Sequence, residues 1–227
     1  MKIIKKGMLG IIVIGLSLSL VACNNGGSDN NKEGNVSFSN VLNSKKMLPI
    51  VVSNSKDDSE TGHVVWAGYI GQGKIKAMHL DGMSYDFGYY DLKKLSNKKF
   101  NNSLIDMGND YEPTKSHYVT AKSEVVLDED KNREKSEAVT YKFLKKGDGA
   151  SYAGVKEAIN EASFSNIEQK KENEEWATVK SVDNDDEYSG YEMHIKVGKG
   201  NNLRLDDINE SKKQYKNVKS EDNYIQE

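Results

Sequence analysis

Only one residue of the 227 carries a thiol, and it closes an apolar run: Leu20-Val21-Ala22-Cys23. The run extends from Met8 to Ala22, relieved by two glycines and two serines, and Lys2, Lys5 and Lys6 stand before it. A basic region followed by an apolar one is the anatomy of a secretory signal. Lysines held on the cytoplasmic side insert such a segment with its C-terminal end outward. The run has 15 residues, whereas a comfortable span of hydrocarbon takes about 20. It therefore fits a transient insertion signal better than a permanent helix. The chemistry on offer is a small side chain, Ala22, directly before the lone sulfur of Cys23.

Leu20, Val21, Ala22 and Cys23 together resemble the lipobox of bacterial lipoproteins, the substrates of signal peptidase II. The resemblance implies that the Cys23 thiol receives a diacylglyceryl group and that the peptidase cuts between Ala22 and Cys23. In some bacteria the new amino terminus is acylated as well. It covers Met1 to Cys23 alone, and the rest of the chain suggests no family. Each buried methylene contributes roughly 0.8 kcal/mol and stable anchoring needs more than one acyl chain; a diacylglyceryl group supplies two. The implied product is an extracytoplasmic protein held on the cell membrane by lipid. Its implied partners are that membrane and the lipoprotein-processing enzymes, and it carries no cofactor besides the lipid on Cys23. With that sulfur acylated, no thiol is left for a disulfide, for catalysis or for a metal. The lack of disulfides and the heavy use of Lys, Asn and Asp suggest a Gram-positive source.

Other chemistry-bearing residues form no site motif. His63, His79, His117 and His194 are dispersed, with no local pair of the kind zinc sites usually show, so no metal is expected. A calcium loop needs glycine at its sixth position and an acid at its twelfth. The stretch opening at Asp128, Asp130 and Asn132 has Arg133 and Val139 there, and that at Asp183, Asp185 and Glu187 has Tyr188 and His194. Asp128 to Glu134 reads instead as a solvated hairpin tip, and His194 as a residue on the polar face of its strand. Neither a G-x-S-x-G elbow nor a phosphate-binding G-x-x-x-x-G-K-[ST] loop occurs, and no catalytic residue is assigned. Lys93, Lys94, Lys98 and Lys99 make a small basic patch that could meet anionic lipid or a wall polymer, although a solvated helix face explains them better. Tyr85, Tyr89 and Tyr90 could line a recognition surface, although packing explains them better.

Cleavage after Ala22 removes three lysines and no acid, leaving 29 basic against 35 acidic residues and a net charge of about −6. Such a balance opposes nucleic-acid binding. Twelve tyrosines and two tryptophans spread along the chain are inconsistent with a disordered stalk.

The elements that must position these residues follow in order. Residues 1–22 form the signal and 23–35 the lipidated cysteine with a tether. Asn24 to Asn35 holds no apolar residue and reaches about 20 Å as a random coil. Residues 36–227 form one extracytoplasmic domain. Val36 to Leu42 and Met47 to Val52 are short candidate strands, the second demoted to an edge by Pro49. Val64 to Ile70 and Lys74 to Leu80 flank Gly71-Gln72-Gly73, a three-residue hairpin signal. Met83, Tyr85, Phe87 and Tyr89 alternate as a strand with an aromatic face. Asp91 then caps a short helix carrying Leu92, Leu95 and Phe100. Tyr118 to Leu127 and Ser136 to Leu144 form the clearest pair of strands. Tyr152, Val155, Ala158, Ile159 and Ala162 mark one apolar stripe of a helix capped by Ser151. Trp176 to Val182 fits helix or strand, Tyr191 to Val197 alternates as a strand, and the tail from Asn209 is a solvated helix or a frayed end.

The expectation is a strand-rich α+β domain, with a mostly antiparallel sheet and one or two short helices. Its expected role is non-catalytic binding at the cell surface. A solute-capturing receptor for a transporter is the alternative, and an extracytoplasmic enzyme a weaker one.

Overall fold

The computed structural model describes residues 34–54, 63–80, 88–111, 118–129, 134–144, 150–160, 162–181 and 190–222. Leu20, Val21, Ala22 and Cys23 lie outside them, as do Tyr85, His117, Asp130, Asn132, Asp183, Asp185 and Glu187. In chain order the elements are β1 (Asn35–Ser37), α1 (Phe38–Leu42), β2 (Leu48–Asn54), β3 (Val64–Gly71), β4 (Lys74–His79), α2 (Tyr89–Lys93) and α3 (Asn97–Tyr111). There follow β5 (Val119–Glu129), β6 (Ala138–Phe143), α4 (Ala150–Asn160), β7 (Phe164–Ile167), β8 (Trp176–Ser181), β9 (Tyr191–Lys196), β10 (Asn202–Arg204), α5 (Ile208–Gln214) and β11 (Val218–Asp222).

Eight strands close into an antiparallel barrel in the order β5-β4-β3-β2-β9-β8-β7-β6, with β6 returning to β5. The sheet expected from sequence is thus strand-rich and antiparallel, but rolled up, with five helices among the described residues rather than one or two. Closure depends on β5, the longest strand, which has three partners. Lys122, Ala121, Thr120 and Val119 pair with β4, and Ser123 to Asp128 pair with β6. The Ser123 N–H donates to Gly73 O and the Val125 N–H to Asn217 O. Residues two apart point to one edge of a strand, so where β4 turns away, β11 takes over that edge in parallel, from Val218 opposite Val125. A second, two-stranded parallel pair joins β1 to β10.

The β3–β4 hairpin is tighter than its sequence suggests. Gly71 pairs with Lys74, so the loop is Gln72-Gly73, with φ of +55° and +68°. Both central residues at positive φ make the turn whose twist matches the flanking strands. Gly71 also has φ +150°, and a Cβ on it would run into the carbonyl of Lys46.

An eight-stranded barrel is just wide enough for side chains to fill, and here they do. Ile50, Val52, Ile70, Ile75, Val125, Leu127, Tyr141, Val179, Met193 and Ile195 belong to one buried cluster. The face expected from Val119, Ala121, Val125 and Leu127, opposite Val139, Tyr141 and Phe143, is the inner one. Phe38, Val41 and Leu42 of α1 join that cluster beside the β3–β4 turn, whose Gly73 N–H bonds Leu42 O. Val155 and Ile159 of α4 join it as well, with Gly154 against His79 at the far end of β4. The two helices therefore close opposite ends.

Several expectations are corrected. Val36 to Leu42 is not one strand: Ser37 accepts from the Asn40 N–H as a helix cap, and Phe38, Val41 and Leu42 follow helical spacing. Pro49 does not mark an edge, since β2 pairs with both β3 and β9. The β9 ladder begins at Ile50, so the missing N–H at position 49 lies beyond its end. Tyr89 and Tyr90 are helical rather than extended. Asp91 is not the first cap of a helix through Phe100; two helices stand there, and Asp91 sits inside α2, bonding the Gly88 N–H at 3.3 Å. Ser151 is a helical residue, because α4 begins at Ala150. Trp176 opens a strand. The tail carries both α5 and a paired strand, β11. Asn35, placed in the tether, is the first residue of β1, and Asp128 is buried in β5 rather than solvated.

Candidate functional site

Outside the barrel, α2 and α3 lie on the wall made by β8, β2, β3 and β4. Tyr89, Leu92, Phe100 and Leu104 pack on Val51, Ala67, Met78 and Trp176 in a second buried cluster. The strands beneath are therefore apolar on both faces.

Three neighbouring strands bring polar side chains together under α2. In register, His194 of β9 faces Val51 of β2 on one side and Thr178 of β8 on the other. Ser53, two residues past Val51, shares that outer face. It stands where β3 spends an extra residue, Val65, between the partners of Val52 and Ser53. The Ser53 hydroxyl lies 3.1 Å from His194 Nε2, and the Thr178 hydroxyl 2.9 Å from Nδ1. The Tyr89 ring stacks on the imidazole with centroids 3.5 Å apart, and Trp176 meets Tyr89 edge-on at 5.9 Å. Glu192 Oε2 is 3.6 Å from Nε2. His194 is 1% exposed and Ser53 2%.

A serine beside a histidine invites comparison with nucleophilic catalysis, and the details refuse it. Such a base needs a partner that holds its second nitrogen as a donor and stabilises the imidazolium, usually a carboxylate; Nδ1 faces a hydroxyl instead. Burial, reinforced by the nearby Lys93 charge, lowers the His194 pKa to about 3, so the ring is neutral and a weak base near pH 7. Both side chains are sealed from solvent. What the arrangement does is satisfy both ring nitrogens and seat α2 on the barrel. His194, expected on the polar face of its strand, is on the outer face, and α2 covers it.

A second buried network involves Asp206, which is fully buried between β10 and α5. Its two carboxylate oxygens accept from the Ser39 N–H at 3.3 Å each, and Oδ1 accepts from the Ser211 hydroxyl at 2.7 Å. The Asp206 N–H donates to the Ser136 hydroxyl, and Asp206 O accepts from the Ser136 N–H. One residue thus ties α1, α5 and the start of β6 together. The Tyr141 hydroxyl, donating to Phe38 O at 3.2 Å, is pushed well above its ordinary pKa by burial and then by the Asp206 charge.

Comparison with known proteins finds no counterpart: no family model matches the chain, and no curated protein or solved structure resembles it significantly. The reading therefore rests on this chain's own residues.

The structure does not bring the sequence-level candidates together. His63 lies in a bridge with Gly88, His79 abuts α4, and His194 is under α2. Among the described residues no three His, Cys, Asp or Glu side chains are grouped to hold a metal, and no helix is long and apolar enough to cross a membrane. The four lysines fall at the α2–α3 elbow. Lys93 pairs with Glu174 at 3.9 Å, while Lys94, Lys98 and Lys99 are exposed. Of the tyrosines, Tyr89 is buried and Tyr90 is 48% exposed. Ser53, Thr178, Ser136 and Asp206 were missed by sequence reasoning. Their nearest signal is a lone polar residue inside an apolar stretch, as in Val51-Val52-Ser53 or Ala177-Thr178-Val179.

Proposed function

We propose that this chain is a lipoprotein, anchored through Cys23 on the outer face of the cell membrane, whose barrel domain binds a partner without catalysing a reaction. One observation carries the reading: Lys2, Lys5 and Lys6, the apolar run, and Leu20-Val21-Ala22-Cys23 occur in the order that lipoprotein export requires, with the chain's only cysteine at the reacting position. The residues after Cys23, up to the start of β1, serve as the tether. Two features support binding over catalysis. The barrel interior is filled by its own side chains, and the one serine–histidine contact described above is buried with a depressed basicity. The solute-receptor alternative has less support, because such receptors usually pair two α/β lobes.

Mass spectrometry of the natural protein tests the anchor: its first residue should be Cys23 carrying a diacylglyceryl thioether. The Cys23→Ala variant should leave the membrane fraction or accumulate as an uncut precursor. A mature terminus elsewhere, or a free thiol at Cys23, refutes the proposal.

A further inference from the structure

We propose that the outward face of the α2–α3 elbow, formed by Tyr90, Lys94, Lys98, Lys99 and Ile105, docks on an anionic lipid surface, namely the membrane to which the chain is tethered. Two of the lysines stand where a helix least favours them. Ser96 caps α3, its carbonyl accepting from the Phe100 N–H at 2.8 Å and its hydroxyl from the Lys99 N–H at 3.4 Å. Lys98 and Lys99 therefore stand in the first turn of a 15-residue helix that has no acid there. Positive charge at that end opposes the helix macrodipole. Helix stability does not explain these residues, whereas an anionic surface would meet lysines and dipole together.

The surroundings of these lysines are short of free negative charge. Of the acids about the elbow, Glu174 pairs with Lys93 at 3.9 Å, Glu175 with Lys196 at 3.2 Å, and Asp91 accepts from the Gly88 N–H at 3.3 Å, while exposed Glu172 lies one loop away. Lys94, Lys98 and Lys99 make no ion pair with any described residue, and exposed Asp106 borders the face beside Ile105, nearly two turns from Lys99. Lys98, Asn102 and Ile105 are spaced by four and three, one stripe of the helix. Ile105 is 40% exposed and Tyr90 48%. Amphipathic rings settle at the headgroup level, and basic residues there attract anionic lipid.

Gly34, where the described chain begins, packs against Gly200, and its carbonyl accepts from the Asn202 N–H. The Gly200 N–H bonds Glu172 O, in the same turn as Glu174, which reaches Lys93. Lys196 binds Asn97 Oδ1 at 3.1 Å from that same rim. The tether therefore leaves the barrel one loop away from the elbow. Confinement by a short tether raises the effective concentration of the surface at the patch, which a weak, salt-screened attraction needs.

The inference rests on the lipid-anchor reading only for the origin of the membrane, and the test replaces the natural anchor. The chain from Cys23 onward is coupled through its thiol to a maleimide lipid, in vesicles of phosphatidylcholine alone or mixed with phosphatidylglycerol. Lysines are then modified with a membrane-impermeant amine reagent and read by mass spectrometry. Lys213 of α5 is the internal control, since α5 leads into β11, which flanks β5, four strands round the ring from β9. Phosphatidylglycerol should slow modification of Lys94, Lys98 and Lys99 about threefold or more, leave Lys213 unchanged, and lose its effect at high salt. The uncoupled chain should bind phosphatidylglycerol vesicles weakly, and Lys94→Glu/Lys98→Glu/Lys99→Glu should weaken that about tenfold with thermal unfolding unchanged. Equal modification on both vesicles overturns the proposal, as does equal protection of Lys213. Protection by soluble polyglycerol phosphate but not by vesicles also overturns it, in favour of a wall polymer. Failure of the natural anchor shows separately, as an unmodified Cys23.

Discussion

Tyr89 and His194 lie ring on ring, 3.5 Å apart and 9° from parallel, one from a helix and the other from the strand beneath it. The contact makes α2 part of the barrel wall, and it keeps water from a histidine that would otherwise titrate near neutrality.

Removing the covering ring should therefore change two observables together. Tyr89→Ala deletes a buried aromatic side chain, which costs roughly 3 kcal/mol in denaturant unfolding. It also opens His194 to water, so the ring's pKa, followed by its NMR shifts, should rise from about 3 toward the ordinary 6.5. Loss of stability with an unmoved His194 titration would contradict this account of the cover.

The same burial predicts a pH dependence of folding. Unfolded His194 takes up its proton below about pH 6.5, and the folded protein does so only near pH 3. Between those values the unfolded state holds more protons, so stability falls as pH falls, by up to about 1.4 kcal/mol per pH unit from this residue. Above pH 6.5 its contribution is complete. Glu192, raised by burial, acts in the opposite direction. His194→Gln has nothing to titrate, and its stability curve between pH 6.5 and 4 should be flatter than that of the parent.

Asp206 makes a sharper prediction, because its carboxylate only accepts. Asp206→Asn turns an NH₂ group toward the Ser39 N–H or the Ser211 hydroxyl and should cost roughly 1–3 kcal/mol. Ser136→Ala, which removes one hydroxyl from the same knot, should cost less. Chemical denaturation of the two variants, with circular dichroism confirming the fold, gives the ranking; a neutral Asp206→Asn would refute the role assigned to the carboxylate.

One substitution should help. Gln72 holds φ +55° in the β3–β4 turn, a conformation costing a side chain about 1 kcal/mol. Gln72→Gly should relieve that, less the greater chain entropy of a glycine in the unfolded state and the exposed bond from Gln72 Nε2 to Lys45 O, and raise the melting temperature by about a degree.

What the sequence made legible was local. The Gly71-Gln72-Gly73 turn, the β5–β6 pair and the α4 stripe could be read because each depends on residues close in the chain. Closure could not, since β2 pairs with β9 across some 140 positions and no periodicity announces which strands meet. β11 was hidden for a different reason: Val218-Lys219-Ser220-Glu221-Asp222 has one apolar side chain, and its pairing is through backbone along an edge that β4 leaves vacant. His194 was placed correctly by alternation and wrongly by environment, because alternation says which face a residue takes but not what lies on top. The lipid-attachment reading has no such dependence on the fold, being written in consecutive residues.

The junction of β1 and α1 has a mechanical consequence. Ser37 both ends the strand and caps the helix, so drag applied upstream of Gly34 arrives within four positions at Phe38, sealed inside the barrel. A tug on the amino end is thus resisted by the hydrophobic interior itself, and Gly34 cannot be drawn away without uncorking the domain.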